Sequence, residues 1–70
     1  MSDRDRLHNR LKVYRAMHEC TQAELAERVD VSRKTISRIE SGGFVPSTEL
    51  ALKLARTFDG AVEDLFQLPE

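Results

Sequence analysis

The sequence predicts an all-α domain of five short helices, in which the second and third helices are joined by a tight turn. Apolar residues recur at steps of three and four along most of the chain. Helix-capping residues precede these stripes, and the three glycines and two prolines lie outside them. A length of 70 residues allows one domain at most.

The first two helices are predicted from an apolar stripe and a capping motif. The first stripe is formed by Leu7, Leu11, Tyr14 and either Met17 or His18. The second helix begins after Thr21, because Thr21 and Glu24 have the spacing of a capping box. Cys20 and Leu25 fit a hydrophobic staple across the same helix start. Both features predict a sharply defined start for this helix.

The third helix begins in the same way. Ser32 is its predicted cap, and Ile36 and Ile39 form its inward stripe. Only Asp30 and Val31 remain for the turn between the second and third helices. Two helices joined this tightly cross at a steep angle and cannot lie antiparallel.

The remaining elements follow from the glycines and prolines. Gly42 and Gly43 end the third helix. Ser47 caps a fourth helix whose inward stripe consists of Leu50, Leu54 and Phe58. Asp59 and Gly60 end it, and a short fifth helix is expected over residues 62–66. No segment alternates convincingly like a strand, although residues 66–68 could form an extended tail.

Composition excludes several classes of protein. Cys20 is the only cysteine, so no intramolecular disulfide can form, and its spacing from His8 and His18 does not match a zinc site. The polar segment 1–6 does not resemble a signal peptide, and no apolar run is long enough to span a membrane. We therefore expect a reduced, cytoplasmic location. No set of residues resembles a catalytic site, so we do not expect an enzyme. We expect no metal or cofactor, and the sequence indicates no obvious small-molecule ligand.

Charge is unevenly distributed along the chain. The net charge is −1, but residues 1–40 carry nine basic and seven acidic side chains, whereas residues 41–70 carry two and five. Arg33, Lys34 and Arg38 fall within six positions of the third helix. Because local field and not total charge attracts phosphate, this helix could face an anionic partner.

Residues 22–40, with the sequence QAELAERVDVSRKTISRIE, resemble the helix-turn-helix of the Xre/Cro family of phage and bacterial repressors. The resemblance extends from about residue 9 to residue 66 and includes PSTELALKLA at 46–55 and VEDLF at 62–66. Among single-domain members the chain is similar to the short cytolysin-repressor type. The resemblance implies a five-helix, repressor-like bundle that places its third helix in the major groove of double-stranded DNA.

The outward face of the third helix carries the predicted base contacts. Arginine can form two hydrogen bonds with guanine O6 and N7, which discriminates between bases by about 1–3 kcal/mol. The resemblance implies that Gln22 contacts phosphate. It also implies an ion pair between Arg15 and Glu40, the alternative being two independent surface charges. The predicted DNA-binding residues are Gln22, Ser32, Arg33, Lys34, Thr35, Ser37 and Arg38.

The sequence departs from the family pattern at three places. Asp30 occupies a turn position where glycine is usual, and aspartate tolerates the left-handed conformation at some cost. Gly43 and Phe44 stand where a basic residue is common, which removes one expected phosphate contact. Residues 59–61 replace the usual start of the fifth helix, so this helix should begin less sharply.

Together these features predict a sequence-specific transcriptional regulator. We expect a repressor that binds a palindromic operator as a homodimer. The alternative is a protein-interaction module on the same fold, such as the antitoxin of a toxin. Phe66 and Leu68 are the expected dimer interface, because they should be left in water once Leu65 turns inward. In the alternative, these two residues fold back over their own subunit. Phe44 is expected either at the rim of the interface or as a lid on the core.

Overall fold

The computed structural model describes residues 7–69, and these residues form five helices and a two-stranded sheet. The elements in chain order are β1 (His8–Asn9), α1 (Leu11–Met17), α2 (Gln22–Arg28), α3 (Arg33–Glu40), α4 (Thr48–Thr57), α5 (Val62–Leu65) and β2 (Phe66–Gln67). The prediction of five helices, with a tight turn between the second and third, is confirmed. Residues 1–6, which the sequence predicts not to be a signal peptide, lie outside the described residues.

The predicted caps begin the three central helices. The Thr21 hydroxyl accepts a hydrogen bond from the Glu24 amide at 3.1 Å, and the Glu24 carboxylate accepts one from the Thr21 amide at 2.8 Å. Hydrogen bonds with Thr21 lower the pKa of the Glu24 carboxyl, and the backbone hydrogen bond has a larger effect than the side-chain one. Ser32 and Ser47 likewise accept from amides three residues further on, at 3.2 and 3.1 Å. Local hydrogen bonding therefore decides where α2, α3 and α4 begin.

Left-handed residues end the helices where the sequence predicts turns. Asp30 has φ 60° between α2 and α3, and Gly42 has φ 84° after α3. Asp59, with φ 55°, ends α4. The Val31 amide donates to the Ala26 carbonyl at 2.9 Å, which satisfies one of the last carbonyls of α2. The turn between α2 and α3 therefore closes with aspartate in place of glycine.

The core is built from the predicted inward stripes. Its fully buried large side chains are Leu11, Leu25, Ile36, Ile39, Leu54 and Leu65. Each contributes roughly 1.5–3 kcal/mol by leaving water. Ala26 of α2 is also buried, so a larger side chain at this position would have to displace its neighbours in the core. These contacts fix α3 against the rest of the domain.

The first helix is shorter than its apolar stripe suggests. Leu7 precedes β1 and is half-buried, and α1 begins only at Leu11 because residues 8 and 9 pair as a strand. Met17 is exposed, so its assignment to the inward stripe is wrong. The ring of His18 lies 5.0 Å from that of Phe58, and this contact closes the end of α1 against α4.

The short sheet joins the two ends of the described chain. In its antiparallel register His8 pairs with Gln67 and Asn9 with Phe66, and the Arg10 amide donates to the Leu65 carbonyl at 2.8 Å. The extended segment expected at 66–68 contains β2, whereas β1 has no counterpart in the sequence analysis. Because Phe66 is extended and paired, α5 ends at Leu65 and not at residue 66 as expected.

The same pairing corrects one expectation about the surface. Phe66 is only 8% exposed and belongs to the core, so the expectation that it stays in water is wrong. Pairing with Asn9 holds Phe66 over its own subunit. Leu68 lies beyond the paired residues and is 82% exposed. The tail therefore offers one exposed apolar side chain and not two.

The start of α5 lacks a side-chain cap at Ala61. Instead, the Asp64 carboxylate accepts a hydrogen bond from the Ala61 amide at 2.9 Å. The Gln67 side chain closes the other end by donating to the Glu63 carbonyl at 2.7 Å. The helix is thus a single turn held by side chains at both ends.

Candidate nucleic-acid interface

The third helix has one buried face and one basic face. Ile36 and Ile39 are buried against the core, whereas Arg33, Lys34 and Arg38 are exposed. The basic and apolar residues lie on opposite faces because residues three and four apart in a helix share a face. An exposed basic α-helix has the dimensions and charge to enter the major groove of B-DNA.

The structure brings Arg15 and Glu40 together as an ion pair. Arg15 Nε lies 2.8 Å from Glu40 Oε2, and a second guanidinium nitrogen donates to Oε1 at 3.3 Å. The two side chains are only 18% and 7% exposed. The hydrogen bond to Glu40 raises the pKa of Arg15, against the opposing effect of burial. A further nitrogen of Arg15 donates to the Cys20 carbonyl at 3.1 Å, so the pair also anchors the segment before α2.

Gln22 connects the ion pair to the candidate DNA-binding residues through two hydrogen bonds. The Gln22 side-chain amide donates to Glu40 Oε1 at 3.1 Å. In turn, Arg33 donates to Gln22 Oε1 at 3.3 Å. The amide orientation of Gln22 is therefore set by a carboxylate on one side and a guanidinium on the other. Sequence reasoning assigned Gln22 to phosphate and missed this link, which connects the two ends of α3 through the first residue of α2.

The hydroxyl residues at and near α3 have different environments. Ser32 and Thr35 have their hydroxyl oxygens 3.0 Å apart, and Ser32 also caps the helix. Ser37 is half-buried beside the exposed Arg38. Ser32 and Thr35 thus stabilise the N-terminus of α3 at the place where the sequence predicts DNA contacts.

Asn9 is a further residue that sequence reasoning missed. Its side-chain amide donates to the Ile39 carbonyl at 3.0 Å, and its oxygen accepts from the Leu11 amide at 3.3 Å. It therefore connects β1 to the last turn of α3. No signal in the spacing indicates this contact, because thirty residues separate Asn9 from Ile39.

The exposed apolar residues are more numerous than those predicted. Leu68 and Phe44 are exposed, as expected, but Val45 and Leu52 are exposed as well. Leu52 lines an open hollow of about 580 Å³ together with Arg56 on α4, Val62 on α5 and residues of the connection between these helices. The surface beside α4 and α5 is therefore partly apolar.

Two other kinds of site were considered for residues 7–69, a metal site and a membrane-spanning helix. This part of the chain contains no cluster of three or more histidine, cysteine or acidic side chains that could hold a metal ion. Nor does it contain a helix with the length and apolar character needed to cross a membrane. Cys20 is buried, with its sulfur 3.6 Å from the Thr21 carbonyl oxygen.

Comparison with known proteins identifies the family. A family model described as helix-turn-helix matches residues 11–65, which span α1 to the end of α5. The chain belongs to the Xre-type helix-turn-helix family. This helix-turn-helix protein is 50% identical over 58 residues to an uncharacterized HTH-type transcriptional regulator of Methanocaldococcus jannaschii, covering 83% of its own chain and 88% of that relative. It is 44% identical over 62 residues to the regulator YgzD of Bacillus subtilis, covering 89% and 94%.

Solved structures share the same arrangement of helices. The clp gene regulator ClgR of Corynebacterium glutamicum matches with a TM-score of 0.73 and 33% identity over 77% of the present chain and 57% of ClgR. The SOS-response repressor LexA of Eubacterium rectale matches with a TM-score of 0.76 and 31% identity over 83% and 62%. The chain thus spans less than two thirds of each of these two structures. It is a transcriptional regulator with a DNA-binding helix-turn-helix fold.

Proposed function

We propose that this regulator represses transcription by binding a specific operator with α3 in the major groove. The observation that carries the proposal is the exposed basic face of α3, formed by Arg33, Lys34 and Arg38 over a buried apolar face. The solved LexA structure is named as a repressor, which supports repression as the outcome of binding. The simplest mechanism is occlusion of a promoter by the bound protein.

In this proposal the residues of α2 and α3 share two tasks. Arg33 and Arg38 read guanine through paired hydrogen bonds. Lys34 and the polar residues at the helix starts contact phosphate, which fixes the register of the protein on the duplex. The full proposed set is Gln22, Ser32, Arg33, Lys34, Thr35, Ser37 and Arg38. Glu40 and Arg15 hold Gln22 and, through it, Arg33.

The proposal includes a homodimer on a palindromic operator. Recognition helices in such dimers lie roughly 34–36 Å apart, one turn of DNA. Because Phe66 is buried, the interface is drawn from the exposed apolar residues, with Leu68 retained from the sequence prediction and Leu52 added. Phe44 is left out of the proposed interface, because its ring lies beside Arg38 on the basic face of α3. A two-fold interface is self-complementary, so a small apolar patch can pair with its own copy.

The decisive experiment compares arginine variants on DNA selected from a random pool. Arg33→Ala and Arg38→Ala should each weaken specific binding about fivefold or more, since a bidentate guanine contact contributes about 1–3 kcal/mol. Arg56→Ala removes the same charge from α4 and serves as the matched control. Circular dichroism verifies that each variant folds. Affinity should also fall steeply with salt, because phosphate contacts release counterions.

Two results would contradict the proposal. One is unchanged affinity of both α3 variants, and the other is a flat salt dependence. A stoichiometric unrelated protein recovered with the native chain, together with absent DNA selection, would instead favour an interaction module such as an antitoxin.

A further inference from the structure

The loop that follows α3 folds back onto Arg38. The Arg38 carbonyl accepts hydrogen bonds from the Ser41 hydroxyl at 3.0 Å and from the Gly43 amide at 2.9 Å. Gly42, with φ 84°, supplies the left-handed turn that reverses the chain after α3. As a result Phe44, two residues after Gly42, returns to the basic face of the helix.

The ring of Phe44 meets the side chain of Arg38. The guanidinium carbon of Arg38 lies 6.0 Å from the centre of the ring, within the range of a cation–π contact. Phe44 is 42% exposed and lies outside the buried core, so core packing does not account for an aromatic residue here. Backbone and side chain of Arg38 are thus both held by residues 41–44.

We propose that Phe44 is a positioning residue for Arg38. An arginine side chain has many rotamers in solution, and the neighbouring ring restricts the guanidinium of Arg38 before DNA arrives. Less entropy is then lost when the side chain reaches a base. Phe44 therefore increases affinity and sharpens the base preference at the position that Arg38 contacts. This inference rests on the proposed function.

Arg33, the other proposed base-reading arginine, is also held by a neighbouring side chain, but through a hydrogen bond. Arg33, in the first turn of α3, is held by the side-chain oxygen of Gln22. Arg38, in the last turn, is held by an aromatic ring. The two proposed base-reading side chains are thus each oriented by a residue outside α3.

A double-mutant cycle on operator binding tests the role of Phe44. An exposed cation–π contact of about 0.5–1 kcal/mol predicts that Phe44→Leu weakens binding about two- to fivefold. Phe44→Tyr keeps the ring and should bind like the native protein. In an Arg38→Ala background, Phe44→Leu should have no further effect. Val45→Ala, in the same loop, is the matched control.

Selection from a random pool supplies a second measurement. Phe44→Leu should relax the base preference at the position that Arg38→Ala also relaxes, and at no other. Analytical ultracentrifugation should be unchanged, because loss of a dimer contact would alter it, and circular dichroism should show the native helix content.

Each other outcome overturns the inference in a recognisable way. An equal loss from Phe44→Leu with and without Arg38 would mean that Phe44 acts on DNA or on the dimer directly, and ultracentrifugation distinguishes these. Normal binding by Phe44→Leu, with weakened binding by Arg38→Ala, would remove the positioning role and leave the proposed function intact. Normal binding by both Arg33→Ala and Arg38→Ala would remove the proposed function itself.

Discussion

At the scale of single residues, Glu40 connects the most parts of the candidate site. Its carboxylate accepts from Arg15 on α1 and from Gln22 on α2, while its backbone ends α3. The carboxylate is nearly buried, so these donors replace the water that it loses. Removing one partner of such a pair leaves the other charge uncompensated.

We predict that Glu40→Gln lowers the free energy of unfolding by about 1–3 kcal/mol, because the Arg15 guanidinium loses its counter-charge in a shielded position. Urea denaturation measures the change. The exposed pair of Glu49 and Lys53, 3.1 Å apart, provides the control, and Glu49→Gln should cost no more than about 0.5 kcal/mol. Equal effects of the two substitutions would show that the buried pair has no special role in stability.

At the scale of elements, the turn between α2 and α3 determines the angle between these two helices. Asp30 holds this turn in a left-handed conformation that glycine adopts without steric cost. The turn forms nonetheless, because packing of Ala26 and Ile36 between the two helices outweighs the local strain. The chain therefore carries a residual cost that one substitution can remove.

We predict that Asp30→Gly raises the free energy of unfolding by about 0.5 kcal/mol, the relief of strain exceeding the added entropy of the unfolded chain. For a domain of this size the melting temperature should rise by about 2–4 °C. Glu27→Gly, in an exposed position of α2, is the control and should lower stability by about 0.5–1 kcal/mol. A lower melting temperature for Asp30→Gly would mean that the aspartate contributes contacts beyond its backbone conformation.

At the scale of the whole molecule, the described residues form a small core with apolar side chains left at its surface. Leu68 and Leu52 are both exposed, on the tail and on α4. Small domains bury a limited share of their surface, so association with a second copy can add to their stability. The proposed homodimer would use these residues.

We predict that Leu68→Glu or Leu52→Glu converts the dimer to a monomer and weakens operator binding, since one half-site supplies only part of the affinity. Sedimentation equilibrium measures the association, and a gel shift measures the binding. Met17→Glu, at an exposed apolar position on α1, should leave both unchanged. If only Met17→Glu dissociates the protein, the interface lies on α1 and this prediction is wrong.

Much of the fold could be predicted because its signals are local. Thr21, Ser32 and Ser47 form their caps with atoms three residues away, and Gly42 and Asp59 turn the chain by their own conformations. The basic face of α3 follows from helical periodicity alone. The limits of α1 and α5 were less accurate, because β1 and β2 compete for the residues at their ends.

The sequence by itself determined the starts of α2, α3 and α4, most of the inward stripes and the family, all of which depend on spacings within a few residues or on a recurring pattern of residue types. Only the tertiary structure decided that Phe66 is buried, that Asn9 reaches the carbonyl of Ile39, and that Gln22 joins Glu40 to Arg33. These contacts join residues far apart in the chain. Their existence depends on how the helices cross, which the packing of the whole core determines and no local spacing specifies.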